Sequence, residues 1–198
     1  MKKLLFVFLL FPFSLLSQED SIEMLQYSSG FAFKEGIYAN FEDFKKNQPS
    51  YTQAIERRGS DLYWYNDSLN KMVKVPPSKI WGYSQAHNVY ISYTGAYWRF
   101  INMGQLTHFS AIFISRYNTV DAYGFPVERV SKKMEHLFMD FNTGKVELLS
   151  YKNLEPYFEK DALLYKNFKK LKRKKQADLI LALKTYNELY PIYFPQND

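Results

Sequence analysis

Apolar and polar residues alternate along most of the central chain, which is the pattern of strands with one buried face. Runs rich in aromatic and β-branched residues are separated by turn sequences such as residues 66–70 and 142–144. In residues 106–116 both faces carry apolar side chains, so we expect that strand to be covered on both sides. Predicted strands are residues 31–38, 62–65, 71–75, 79–85, 89–93, 97–101, 106–116, 136–141 and 145–149.

The spacing of apolar residues becomes helical after residue 153. Leu164, Phe168, Leu171, Leu179 and Leu183 recur at intervals that place them on one helix face. The pattern predicts one long helix, or two with a break near Lys175, ending before Pro191. A short helix is also predicted over residues 41–46, with Asn40 as its N-cap. The apolar tail, residues 192–194, is expected to dock on the body of the domain.

Residues 117–133 show no sustained period and include Asn118, Gly124 and Pro126. They predict the longest internal loop of the chain, and loops of that length often carry function or move. The fold class that follows is α+β: a twisted or partly closed antiparallel β-sheet of six to eight strands, covered by a long C-terminal helix. Residues on the periodic apolar faces are predicted to fill the core: Trp81, Phe109, Phe113, Phe138 and Phe168.

The first 17 residues resemble a secretory signal peptide. Lys2 and Lys3 precede an apolar stretch from Leu4 to Leu16, which is too short to span a bilayer as a helix. Cleavage is expected after Ser17, so residues 18–198 form a single domain in which residues 18–30 are flexible. The alternative is that residues 1–17 remain attached as an uncleaved membrane anchor. The chain contains no cysteine, which excludes a lipid-modified cysteine, a disulfide framework and a thiol nucleophile. We therefore expect an exported protein, periplasmic or secreted, that is not a lipoprotein.

The positive charge is concentrated in one segment. Removing residues 1–17 lowers the formal net charge from +6 to +4, and residues 160–175 alone contain eight cations and one acid. Most simply, these cations are a solvated helix face whose apolar side packs on the domain. Alternatively, they contact an anionic lipid surface. Nucleic acid is a poor partner for an exported chain.

Aromatic residues are 19% of the chain and crowd the strand region. They are most simply sheet core and cross-strand pairs, because aromatic residues pack well in sheets. Tyrosine and tryptophan also line binding surfaces, since their rings bury while their polar ends keep hydrogen bonds. The candidate binding surface combines the aromatic face and the basic segment: Trp64, Tyr83, Tyr97, Trp98, Lys169, Lys170, Lys172, Arg173, Lys174 and Lys175.

Catalytic and metal-binding motifs are absent from the sequence, and no cofactor or metal is predicted. The chain has no Gly-x-Ser-x-Gly elbow, phosphate loop, dinucleotide fingerprint or His-Glu-x-x-His motif. His108 and His136 lie on strands that could place them side by side, whereas His87 falls in a hairpin turn. A glycosidase would need two facing carboxylates, and the candidates for such a pair are Glu35, Asp61, Asp121, Glu128 and Asp140.

Four segments, at residues 36–45, 80–83, 140–145 and 186–191, carry a resemblance to known proteins. In them the chain resembles a family of small secreted bacterial envelope proteins of unknown function, from Gram-negative species. The resemblance covers most of the mature chain. It implies an envelope or secreted location and assigns no catalytic residue.

Two classes of function are compatible with these observations. The first is a non-enzymatic exported envelope protein that binds a protein, glycan or anionic lipid partner through its aromatic sheet face or basic helix. The alternative is an envelope hydrolase that acts on glycans with a carboxylate or histidine site. A concave pocket holding convergent carboxylates or histidines favours the hydrolase, and a solid aromatic core with shallow grooves favours the binding protein.

Overall fold

A curled antiparallel sheet of seven strands forms the centre of the protein in the computed structural model, which describes residues 23–171 and 175–196. The predicted signal peptide, residues 1–17, lies outside the described residues. The strands are β1 (Met24–Gln26), β2 (Gly36–Tyr38), β3 (Ile55–Arg58), β4 (Asp61–Asn66), β5 (Lys71–Val75), β6 (Gly82–Gln85), β7 (Asn88–Tyr93), β8 (Ala96–Asn102), β9 (Leu106–Val120), β10 (Pro126–Asp140), β11 (Val146–Leu148) and β12 (Tyr193–Pro195). The helices are α1 (Phe41–Lys45), α2 (Tyr151–Phe158), α3 (Ala162–Phe168) and α4 (Gln176–Leu189), with 3₁₀ turns at Pro77–Lys79 and Lys169–Leu171.

The central sheet has the strand order β11-β10-β9-β8-β7-β6-β2, and every pair of neighbours is antiparallel. Strands β3, β4 and β5 form a separate three-stranded sheet, and β1 pairs with β12. The predicted mixture of helices with an antiparallel sheet of six to eight strands is confirmed. Residues 24–26, inside the segment expected to be flexible, are paired with the C-terminal strand.

Three hydrophobic cores cover the two faces of the central sheet. The first lies on one face and joins Phe44, Phe109 and Leu137 to Ile192 and Phe194 of the C-terminal tail, which docks as predicted. The second lies on the other face, where β9, β10 and Leu149 pack against α2, α3 and α4. The third lies on that same face at β2, β6 and β8, under the three-stranded sheet.

Most predicted core residues are confirmed. Phe109, Phe138 and Phe168 are fully or almost fully buried, the first in core one and the other two in core two. Trp81 and Phe113 are only half-buried at the edge of core one.

We call residues 106–111 of β9 and 135–140 of β10 the root. Burial of Phe109 and Phe138 on opposite faces confirms that the root is covered on both sides, but Ile112 and Ile114 of the same predicted strand are exposed, so the prediction is wrong for residues 112–116.

The single long C-terminal helix is not observed. Asp161 ends the preceding turn and caps α3, accepting bonds from the backbone N–H groups of Leu163 and Leu164. Lys175 has an extended backbone, and the Asp178 carboxylate accepts a bond from its N–H, so α4 begins there as an independent helix. Capping at Asp161 and at Lys175 therefore divides the predicted helix into shorter ones. The break near Lys175 agrees with the alternative of two helices.

One side chain ties α4 directly to β9. The Asn187 amide accepts a bond from the N–H of Leu106 at 2.8 Å and donates one to its carbonyl at 2.9 Å. Gly104 makes this approach possible, because a Cβ at that position would lie 2.3 Å from the Asn187 side chain. The pair fixes the C-terminal part of α4 at the start of β9.

The loop predicted over residues 117–133 is wrong. The structure continues β9 to Val120 and begins β10 at Pro126, with every intervening pair in register from Pro126↔Val120 to Asp140↔Leu106. Only residues 121–125 form a turn. The strands show no clear alternation there because neither face of this part of the hairpin is buried, so no periodic hydrophobic pattern is required.

Candidate binding surfaces

The hairpin of β9 and β10 extends beyond the cores. We call residues 112–134 the distal hairpin. Its arms of nine residues are about 30 Å long at the rise of a β-strand. Both faces are largely exposed, and its exposed apolar residues are Ile112, Ile114, Tyr117, Val120, Tyr123, Phe125, Val130 and Met134. Such a concentration of exposed apolar side chains is typical of an interaction site.

Two aromatic side chains occupy the tip. Tyr123 is 86% exposed and Phe125 is 67% exposed. The Asp121 carboxylate accepts hydrogen bonds from the N–H groups of both residues at 2.9 Å. The Asp121 N–H donates to the Phe125 carbonyl, and the Gly124 N–H donates to the Asp121 carbonyl. The turn is thus held by its own hydrogen bonds and presents the two rings to solvent.

Most charged residues of the distal hairpin lie between the tip and the cores. Apart from Asp121, residues 119–127 contain no charge. Next come Glu128, Arg129 and Arg116, with the Arg116 guanidinium 3.5 Å from the Glu128 carboxylate. Farther back, Lys132 and Lys133 precede Glu135, and Lys133 is paired with Glu135. Among the residues that the structure describes, no acid pairs with Arg129 or Lys132, so this level of the hairpin carries excess positive charge.

A groove of about 520 Å³ runs beside the root of the distal hairpin. Its walls are the β7–β8 turn at Thr94 and Gly95, the Trp98 ring, and Ile112 and Ile114 of β9. The Trp98 indole donates to the Tyr93 carbonyl at 2.8 Å, which fixes the ring in this wall. Trp98 is therefore the one aromatic residue of the predicted surface that the structure brings next to the distal hairpin.

The other predicted aromatic residues lie elsewhere. Tyr83 and Tyr97 are buried in core three, so they contribute no exposed surface. Trp64 is half-buried at the edge of the same core, where it packs on Tyr51 with ring centroids 5.0 Å apart. The four residues do not form one aromatic face, because the three-stranded sheet covers the side of the central sheet that holds Tyr83 and Tyr97.

The basic segment is only partly described. Lys169 and Lys170 are exposed on the 3₁₀ turn after α3, and Lys175 is exposed at the start of α4. Lys172, Arg173 and Lys174 lie outside the described residues. Gln176, the next residue, donates to the Leu149 carbonyl at 3.2 Å, and the Leu149 N–H donates to the His136 carbonyl. The hydrogen bonds from Gln176 through Leu149 to His136 therefore place the start of α4 near the root of β9 and β10.

His108 and His136 meet across β9 and β10, as their strands predicted. His108 Nε2 lies 3.0 Å from His136 Nδ1, which also lies 3.1 Å from the Ser110 hydroxyl. Burial, then the neighbouring His136, then Lys184 lower the pKa of His108 to about 4. His108 is therefore neutral at ordinary pH. In the described chain no carboxylate hydrogen-bonds to either ring, so the acid that would orient a catalytic base is missing.

The candidate carboxylates have separate partners and do not converge. Glu35 accepts the Ala86 N–H, Asp61 pairs with Lys74, and Glu128 pairs with Arg116. Asp140 is buried and accepts bonds from Gln105, the Asn142 N–H and Tyr157. Asp121 holds the hairpin tip. These carboxylates therefore stabilise separate parts of the fold, and no two of them face each other as an acid–base pair.

A second groove, of about 550 Å³, lies between β1, the end of β8 and α4. Its walls contain one cation, Lys184, and one acid, Glu188, but none of the histidines. Across residues 23–171 and 175–196, no group of three or more acidic or histidine side chains is placed to hold a metal ion. The same part of the chain contains no helix with the length and apolar character to cross a membrane.

Comparison with known protein families, curated proteins and solved structures found no match to this chain. The candidate surface therefore depends on geometry alone. Sequence reasoning missed the tip residues Tyr123 and Phe125 because residues 117–133 were assigned to a loop. Two aromatic residues on either side of Gly124, between segments that contain Val120, Val127 and Val130, are the signal that would have indicated a hairpin tip.

Proposed function

We propose that this protein is an exported, non-enzymatic envelope protein that binds a partner surface through its distal hairpin. The observation that carries the proposal is the exposure of apolar side chains on an arm about 30 Å long that no other part of the described chain covers. Leaving such residues in water is unfavourable for an isolated domain. A binding role explains why they are presented on an ordered hairpin.

The hydrolase alternative lacks a comparable observation. The groove beside α4 gathers no pair of carboxylates and no histidine, and the histidine pair has no orienting acid among the residues described. The buried aromatic side chains of the three cores support a binding protein, for which a solid aromatic core is the expectation. Export depends on the signal-like residues 1–17 and is part of the same proposal.

The test measures how much purified protein sediments with envelopes isolated from the producing cells. The tip variant carries Tyr123→Ser and Phe125→Ser. Burying an aromatic side chain contributes about 1.5–3 kcal/mol, so loss of both should lower binding at least about tenfold. The matched control carries Leu69→Ser and Leu163→Ser, which remove two exposed apolar side chains outside the hairpin.

We expect the control to bind envelopes as the unmodified protein does. Equal binding of the tip variant and the unmodified protein would contradict the proposal. Near-identical thermal unfolding of all three proteins would show that any loss of binding does not come from unfolding.

A further inference from the structure

We infer that the surface bound by the distal hairpin is an anionic lipid bilayer, into whose interface Tyr123 and Phe125 insert while Arg129 lies at the lipid headgroups and Lys132, about 10 Å farther from the tip, adds electrostatic attraction. This inference rests on the proposed binding function and names the chemistry of the partner. Three features of the hairpin support it: the order of uncharged and charged residues along the strands, the hydrogen bonding of the tip, and the distribution of polar residues on the two faces.

The length of the uncharged end of the hairpin matches the depth to which interfacial segments insert into a bilayer. The turn and the two cross-strand pairs behind it, Val120↔Pro126 and Thr119↔Val127, span about 10 Å at the rise of a strand. Interfacial segments bury their apolar side about 5–10 Å into the boundary between headgroups and acyl chains. The first cation behind the turn, Arg129, pairs with Tyr117 about 13 Å from the tip, which is the level of the headgroups.

The backbone of the tip forms most of its hydrogen bonds internally, as a poorly hydrated environment requires. Four of the five N–H groups in residues 121–125 donate hydrogen bonds within the turn, two of them to the Asp121 carboxylate. Unpaired backbone groups are costly in lipid, so a loop that satisfies its own groups can enter the interface. The charge of Asp121 keeps the tip in the interface and out of the hydrocarbon centre.

A second copy of the chain or another dry protein surface fits the hairpin less well. On the face that carries Ile114 and Val130, each is directly opposite a cation, Lys132 and Arg116 respectively. A sheet-on-sheet contact would have to bury these cations against apolar side chains, which is unfavourable. At a bilayer only the tip is buried, and the same cations stay hydrated, at or outside the headgroups.

Charge complementarity favours anionic over neutral lipid. The distal hairpin carries Arg116, Arg129, Lys132 and Lys133, and only the first and last of these are paired with acids. Unpaired cations close to an anionic surface are attracted to it, and salt screens that attraction. Binding by the hairpin should therefore depend on lipid charge and on ionic strength as well as on the aromatic tip.

The first test is co-sedimentation with vesicles of phosphatidylglycerol and phosphatidylethanolamine or of phosphatidylcholine alone, using the protein as cells process it. We expect at least about tenfold stronger binding to the anionic vesicles, weakening as salt rises. Arg129→Glu with Lys132→Glu should remove that preference. The charge control, Lys169→Glu with Lys170→Glu and Lys175→Glu, reverses one cation more than the hairpin variant and should still retain it.

The second test measures depth. A tryptophan introduced at the tip by Tyr123→Trp should be quenched by lipids brominated on their acyl chains, beyond the quenching of the three native tryptophans. Tyr117→Trp, behind the uncharged end of the same hairpin, should show little additional quenching. The difference between these two positions reports insertion of the tip and is not expected from charge attraction alone.

The outcomes separate the lipid inference from the binding function. Loss of envelope binding by the tip variant, combined with no binding of the unmodified protein to anionic vesicles, would overturn the lipid partner and leave the hairpin as a protein- or glycan-binding element. Vesicle binding lost in the Lys169, Lys170 and Lys175 variant but kept in the tip variant would also overturn the inference, because it would move the lipid contact to the basic segment.

Discussion

The two halves of β9 and β10 share one hydrogen-bonded ladder but differ in the burial of their side chains. At the root, Phe109 and Phe138 are completely buried, one on each face. In the distal hairpin, Ile114 and Val130 are 59% and 51% exposed on strands that continue without a break in register. A continuous hydrogen-bonded ladder therefore does not by itself reveal the role of a residue. The root supports the fold, and the distal half is available to a partner.

The largest expected effect on stability comes from truncating a buried side chain at the root. Phe109→Ala should lower the free energy of unfolding by about 3–5 kcal/mol, because it leaves a cavity inside core one. Ile114→Ala, on the distal part of the same strand, should change it by less than about 0.5 kcal/mol. Urea denaturation of both variants measures the difference. Similar losses in the two variants would show that the two halves are not distinct.

The root should also be sensitive to acid. Because the pKa of His108 is lowered to about 4 in the folded protein and is near 6.5 when unfolded, only the unfolded state binds this proton between those values. The free energy of unfolding should therefore fall by about 3 kcal/mol as the pH drops from 6.5 to 4. His108→Gln should flatten this part of the profile.

His87 is the matched control for that profile. It lies exposed in the turn between β6 and β7, outside the three cores, so His87→Gln controls for the loss of a histidine as such. The measurement is chemical denaturation repeated across the pH range. A profile for His108→Gln as steep as that of the unmodified protein would contradict the assignment of the effect to the buried ring.

A smaller effect is expected where α4 joins the start of β9. Asn187→Ala removes two hydrogen bonds to the Leu106 backbone and should cost about 1–3 kcal/mol of stability. Glu188→Ala, at the adjacent exposed position of α4, should have little effect. Thermal unfolding compares the two variants. Equal melting temperatures would mean that the Asn187 bridge does not hold the helix in place.

Deletion of most of the distal hairpin should change the stability less than any of the three substitutions at Phe109, His108 and Asn187. Replacing residues 114–132 with Asn-Gly joins the Phe113↔Lys133 pair through a two-residue hairpin turn. We expect the free energy of unfolding to change by no more than about 1 kcal/mol, because the deleted residues do not enter the cores. Loss of cooperative unfolding would show that the distal hairpin is part of the folding unit.

The sequence predicted those parts of the fold whose periodicity is imposed by a core. Alternation identified the strands around Phe109 and Leu137, and helical spacing identified Leu164, Phe168 and Leu183 as buried. Residues 117–133 have no buried face, so their strands left no alternation to detect. The division of the C-terminal helix depended on local capping at Asp161 and Lys175, which hydrophobic spacing does not report.

The candidate surface was harder to predict than the fold. Tyr83 and Tyr97 are residue types that often line binding surfaces, but the three-stranded sheet covers them. The local sequence pattern does not report this packing, because it brings together segments that are distant along the chain. The meeting of His108 and His136 was predictable because both strands had been identified. Tyr123 and Phe125 were not, because their exposure depends on a hairpin that extends beyond every core.

Envelope binding by the protein that lacks residues 114–132 tests the central claim most directly. The unmodified and the shortened protein, each first shown to unfold cooperatively with a similar midpoint, are mixed with isolated envelopes and sedimented. If the root supports the fold and the distal hairpin binds the partner, the unmodified protein sediments with the envelopes and the shortened protein stays in the supernatant. Sedimentation of the shortened protein to the same extent would contradict that division.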